Sequence, residues 1–75
     1  MHPLTALSLN NLAFLYKTQG KYAEAERLLL RTLKILEQSV GGEHPNTKHV
    51  RKNYAGVLRE LGREEEAAAL EAEGE

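Results

Sequence analysis

Leu9-Asn10-Asn11-Leu12-Ala13-Phe14-Leu15-Tyr16, followed two residues later by Gln19-Gly20-Lys21-Tyr22-Ala23-Glu24-Ala25-Glu26, is the stretch on which the fold turns. Leu9, Leu12, Ala13 and Tyr16 fall at i, i+3, i+4 and i+7, the spacing of one helical face. Gly20 ends that helix, because glycine accepts the left-handed backbone that commonly follows a last turn. The period resumes through Tyr22, Ala25, Leu29, Thr32 and Leu36, and Leu28, Leu30, Leu33 and Ile35 make further sides of the second helix apolar. A helix that is apolar on several sides is packed on several sides. The pattern predicts helices over about residues 4–19 and 22–38, the first opened by Pro3, whose missing N–H is harmless in a first turn.

Beyond this stretch, Gly41 and Gly42 break the chain, and residues 39–45 read as its longest loop. Val50, Tyr54, Val57, Leu58 and Leu61 then give a single helical face, predicting a third helix over about 46–61. Gly62 stops it, and a fourth helix is expected over about 64–72, with Glu64, Glu65 and Glu66 at its N-terminus where the helix dipole favours acids. Laying the chain on itself at an offset of 42 explains the regularity. His2/His44, Pro3/Pro45, Thr5/Thr47, Asn11/Asn53, Ala13/Ala55, Gly20/Gly62, Glu24/Glu66, Ala25/Ala67 and Leu28/Leu70 coincide, nine of the 32 pairs from His2/His44 onward. Periods between about 20 and 50 residues point to stacked repeats. The expected organisation is one unit at 3–39, a loop at 40–45, and a second unit at 46–73.

Composition agrees with an all-α chain and removes several function classes. Ala, Leu, Glu, Lys and Arg fill 43 of 75 positions, while Val and Ile together fill four, so helix formers dominate. The chain has no cysteine, which leaves no disulfide framework and no thiolate metal site. No apolar run approaches the roughly 18 residues a bilayer span needs. The start Met1-His2-Pro3 lacks the features of a signal peptide. A cytoplasmic setting without membrane contact is the expectation. The formal charge of -1 is a cancellation: residues 1–63 carry +5 and residues 64–75 carry -6.

The quoted residues resemble the tetratricopeptide repeat, a helix-turn-helix unit with large and small residues at fixed places. The segment 9–26, the 42-residue offset and the His44-Pro45 pair are similar to the long-period subclass found in kinesin light chains and many bacterial proteins. The resemblance implies two antiparallel helix-turn-helix repeats, four helices in all, stacked as a short right-handed α-solenoid. Ala13 and Ala25 are then small where paired helices approach, and Tyr16 and Tyr22 fill the wider gaps. The second unit departs from the first, with Arg51 opposite Leu9, Glu64 opposite Tyr22 and Glu71 opposite Leu29. That polarity is expected of a terminal capping unit with a solvated outer side, which would make the chain the tail end of a longer array or a module cut from one.

Catalytic constellations are missing. His2, His44 and His49 have no cysteine or aspartate beside them to complete a metal site, and the chain contains no Asp at all. Ser8 and Ser39 belong to no His–acid arrangement, and Gly41-Gly42 is not followed by the Gly-Lys-Ser/Thr ending of a phosphate loop. The expectation is a non-catalytic protein with no cofactor and no metal. The resemblance instead implies a concave surface along the first helix of each unit. It places Leu7, Asn10, Asn11, Phe14 and Lys17 there, with His49, Lys52, Asn53, Gly56 and Arg59 beneath them. Helical periodicity independently puts the second set on one face. Cations beside amides can hold a peptide backbone and attract carboxylates. The expected function is binding of an extended acidic peptide segment of a partner protein, as kinesin-light-chain-type repeats bind aromatic-acidic peptides. The competing expectation is self-association, because open-ended repeats expose faces that normally stack, including Leu4, Leu7 and Leu15 on the first helix. Nucleic acid is not an expected partner, since the basic face holds few charges and the acidic tail repels phosphate.

Overall fold

The structure, a computed structural model, describes residues 3–73, and side chains from residue 8 to residue 72. Four helices follow one another: α1 (Pro3–Thr18), α2 (Tyr22–Ser39), α3 (Pro45–Glu60) and α4 (Glu64–Glu73). Each packs against the next, and α1 also touches α3. This is the short all-α solenoid that the resemblance implies, with no strand among the described residues. The predicted apolar positions Leu4 and Leu7 have side chains outside the described residues.

Short turns set the geometry, and glycine makes two of them nearly identical. Gly20 sits at φ 79° and Gly62 at φ 80°, in the left-handed region. At each, the N–H of the following residue, Lys21 or Arg63, reaches back to the carbonyl of Tyr16 or Leu58, and the glycine N–H itself bonds the carbonyl of Lys17 or Arg59. This pair of bonds satisfies carbonyls that the ending helix leaves free. Between α2 and α3 the chain turns at Gly41, φ 89°, and α3 begins with a side-chain cap. His44 Nδ1 accepts from the Asn46 N–H at 3.1 Å, and Pro45 occupies the first turn. The His-Pro pair therefore starts a helix: the imidazole satisfies an N–H that the first turn would otherwise leave free.

The core lies along α2. Leu29, Leu33 and Leu36 meet Val50, Tyr54, Val57 and Leu58 of α3, with Ala13 of α1 and Ala67 of α4 in the same buried cluster. Ala13, Ala25, Ala55 and Ala67, the two repeated alanine pairs, are all fully buried. A methyl group at these positions lets adjacent backbones approach.

Arg51 corrects one expectation. It is not a residue of a solvated outer side but is buried, with 7% of its surface exposed. Its Nη2 donates to the Gly42 carbonyl at 3.3 Å and lies 3.7 Å from the Glu37 carboxylate, while its Nε has no partner. A long aliphatic stem can cross apolar surface and deliver its charge at the rim, so Arg51 pins the 40–44 turn to α3. An incompletely satisfied buried charge contributes little net stability. Arg51→Leu, which places the first unit's residue type in the second, is expected to leave the urea midpoint unchanged or raise it. Arg51→Ala, which leaves a void, is expected to lower stability by about 2 kcal/mol. Equilibrium urea unfolding of both variants distinguishes a structural strut from a packing stem.

Candidate groove between α1 and α3

Side by side, α1 and α3 form a surface with α2 behind it. At their junction is a pocket of about 40 Å³ lined by Ala13, Phe14 and Lys17 of α1, Leu29 of α2, and Asn53 and Val57 of α3. Ala13, Leu29 and Val57 are buried and give it an apolar floor. Phe14 forms a wall and keeps 59% of its surface exposed, unusual for so large an apolar side chain. Lys17 lies over Gly56, whose missing Cβ would stand 3.6 Å from the Lys17 Nζ. A cation therefore overhangs a small apolar recess.

Of the ten residues named from the sequence, Phe14, Lys17 and Asn53 converge on this pocket, Gly56 lies beneath Lys17, and the Leu7 side chain is outside the described residues. His49 and Lys52 are exposed on α3. Asn10 is placed otherwise: it is buried to 3% exposure, and its Oδ1 accepts from the Asn53 Nδ2 at 3.0 Å. That bond joins α1 to α3 and makes Asn10 a strut between helices, while Asn53 both holds it and lines the pocket. Asn11 is exposed but does not line the pocket. Arg59 is engaged by acids that follow it, Nε with Glu64 at 3.3 Å and Nη2 with Glu71. These pairs tie the Arg59 guanidinium to α4.

Two features of the site escape the sequence reading. Leu29 and Val57 supply the pocket floor, although their periodicity marks them only as core. Arg63 bridges Glu66 of α4 and Glu26 of α2. The Lys21/Arg63 charge repeated at the 42-residue offset, and the Arg63/Glu66 spacing of three residues, were the available signals for that bridge. The paired guanidinium holds the Glu66 carboxyl below the usual carboxylate range, chiefly through their hydrogen bond, and the Arg63 guanidinium is held above its ordinary value for the same reason. Three of the acids of α4, Glu64, Glu66 and Glu71, are thus paired with Arg59 or Arg63.

Among the described residues there is no group of three His or Glu placed to hold a metal ion. No described helix is long and apolar enough to cross a membrane.

Four successive helices with a shallow groove on one side define a helical-repeat scaffold, a class that works by presenting surface. The sequence matches the family model described as tetratricopeptide repeat over residues 4–74. The chain belongs to the tetratricopeptide-repeat family, whose repeats generally mediate protein–protein interaction. Comparison with curated proteins finds no match.

Proposed function

We propose that the groove between α1 and α3 binds an extended acidic segment of a partner protein, with one apolar side chain entering the pocket beside Phe14. The observation that carries this reading is the pocket itself, an apolar floor of Ala13, Leu29 and Val57 under the Lys17 ammonium. The recess opens onto the groove and offers an apolar side chain a floor of like character. The exposed Phe14 ring adds a wall for aromatic or aliphatic contact with the peptide. Lys17, Lys52 and His49 supply donors for carboxylates along the strand, and burial of a single apolar anchor with exposed ion pairs gives modest affinity. The 42-residue offset supports the long-period, kinesin-light-chain-like subclass for this chain. The same reading places it among non-catalytic cytoplasmic scaffolds.

Fluorescence anisotropy with a labelled acidic peptide and its charge-reversed counterpart tests the groove at low salt. The acidic peptide is expected to bind in the high-micromolar range and the basic one not at all. Joint reversal of Lys17 and Lys52 to Glu is expected to weaken binding at least about tenfold, equivalent to 1.4 kcal/mol, without changing the circular dichroism spectrum. Equal affinity for both peptides, or unchanged affinity after the double reversal, would discard the reading. Asn53→Ala is not a suitable probe, since it also removes the bond to Asn10.

A further inference from the structure

One glycine of the groove is not asked for by the fold. Gly56 lies inside α3, which runs on to Glu60 and is ended by the Gly62 turn. Glycine inside a helix is less stable than alanine, because it loses more backbone freedom on folding. A fold keeps one there for a left-handed backbone, a helix end or the close approach of another element. None of these applies to Gly56. Among the described residues the glycines with positive φ are Gly20, Gly41 and Gly62. A Cβ added at Gly56 would meet one described atom outside its own helix within 4 Å, the Lys17 Nζ at 3.6 Å. That is ordinary van der Waals contact with the far end of a flexible side chain, so alanine fits.

The place left empty belongs to the groove. Gly56 is half-buried and stands between Asn53 and Val57, both of which line the pocket. At the 42-residue offset it corresponds to Phe14, the pocket's wall. The cation beside it is also unengaged. Arg51, Arg59 and Arg63 each have a glutamate, whereas the half-buried Lys17 side chain has no ion pair or hydrogen bond among the described residues. A gap in a helix surface next to an unpaired ammonium fits a main chain that carries a carboxylate. We infer that Gly56 is the point at which the bound segment's main chain crosses α3, its missing side chain letting an acid of the ligand reach Lys17.

That role rests on peptide binding in the groove and adds to it a point of contact and a preferred spacing. In an extended segment, successive side chains point to opposite sides and alternate ones share a side. A segment resting on Gly56 that turns one apolar side chain into the pocket therefore presents the residue two positions along to the same side, where Lys17 overhangs. The ligand class is a segment with an acid two residues from its apolar anchor. A side chain at position 56 would lift such a segment off α3 and draw both groups out of reach.

The test combines thermal unfolding with anisotropy titrations of a labelled peptide that has one leucine, glutamates two residues to either side of it and serines elsewhere. Gly56→Ala is expected to raise Tm by about 4–8 °C and yet to weaken the peptide at least about fivefold. Gly56→Leu, folded by circular dichroism, is expected to weaken it further. The salt dependence of binding is expected to match between wild type and Gly56→Ala, because Lys17 keeps its charge and its place. A flattened salt dependence would mean that the added methyl group acts by displacing Lys17, and would overturn the role of Gly56. So would a lowered Tm in Gly56→Ala, which would make the glycine a packing requirement, and so would wild-type affinity in that variant. Those three results leave the groove reading standing. A wild-type chain that does not bind the peptide at all removes the groove reading, and this role with it.

Discussion

Leu36→Ala is expected to leave the chain largely unfolded without denaturant. Leu36 is fully buried on α2, the helix that packs against both α1 and α3. Removing its isopropyl group loses transfer free energy and leaves a cavity whose collapse is resisted on both sides, at a cost of about 2–5 kcal/mol. A single core in a chain of this length supplies only about 3–5 kcal/mol, so the two quantities are of one size. Far-UV circular dichroism against urea reads the result: the variant should lose most of its helical signal or show a midpoint close to zero urea. Leu12→Ala is the control, since truncating this exposed leucine should move stability by no more than about 0.5 kcal/mol. A Leu36→Ala chain with the wild-type midpoint would place the energetic centre of the fold away from α2.

The fold is legible in the sequence because its determinants are local and repeated. Apolar spacing announces the helices, and the glycines that end them, Gly20 and Gly62, do adopt the left-handed backbone that glycine permits. The repeated alanines are buried as their size suggests. The groove is legible only in part, and the reason is geometric. An offset of 42 superposes equivalent positions, such as Asn11 on Asn53, but residues that touch across stacked units are not equivalent. The observed bond runs from Asn53 to Asn10, and leaves Asn11 exposed. Arg51 misleads for a different reason: residue type marks it as solvent-facing, whereas its stem is long enough to lie buried and still reach the Gly42 carbonyl. Arg59 misleads because helical periodicity assigns a face without showing that α4 folds back to bring Glu71 onto it. Long-range partners of long side chains are the part of the site that periodicity does not encode.

The same enlargement at two equivalent positions should have unequal consequences. Ala25 and Ala67 coincide in the repeat and both are fully buried. Leucine at either adds three carbons to a space with no room for them, and overpacking of this kind costs about 1–3 kcal/mol. What differs is whether the neighbours can yield. Ala25 lies on α2, which is confined between α1 and α3, so Ala25→Leu must strain the whole core. The expected loss is about 5–20 °C in Tm, from the 4–8 °C per kcal/mol usual for domains of this length. Ala67 lies on α4, which among the described helices packs against α3 alone. Beyond Ala67 and the half-buried Leu70, α4 is held chiefly by ion pairs of Arg59 and Arg63. Exposed pairs are individually weak, so Ala67→Leu should lift α4 away while α1, α2 and α3 stay folded. Amide hydrogen exchange separates the outcomes: faster exchange confined to residues 64–73 for Ala67→Leu, and spread over all four helices for Ala25→Leu. Equal global losses in the two variants would mean that α4 is as integral to the core as α2, and that its ion pairs act as a rigid clamp.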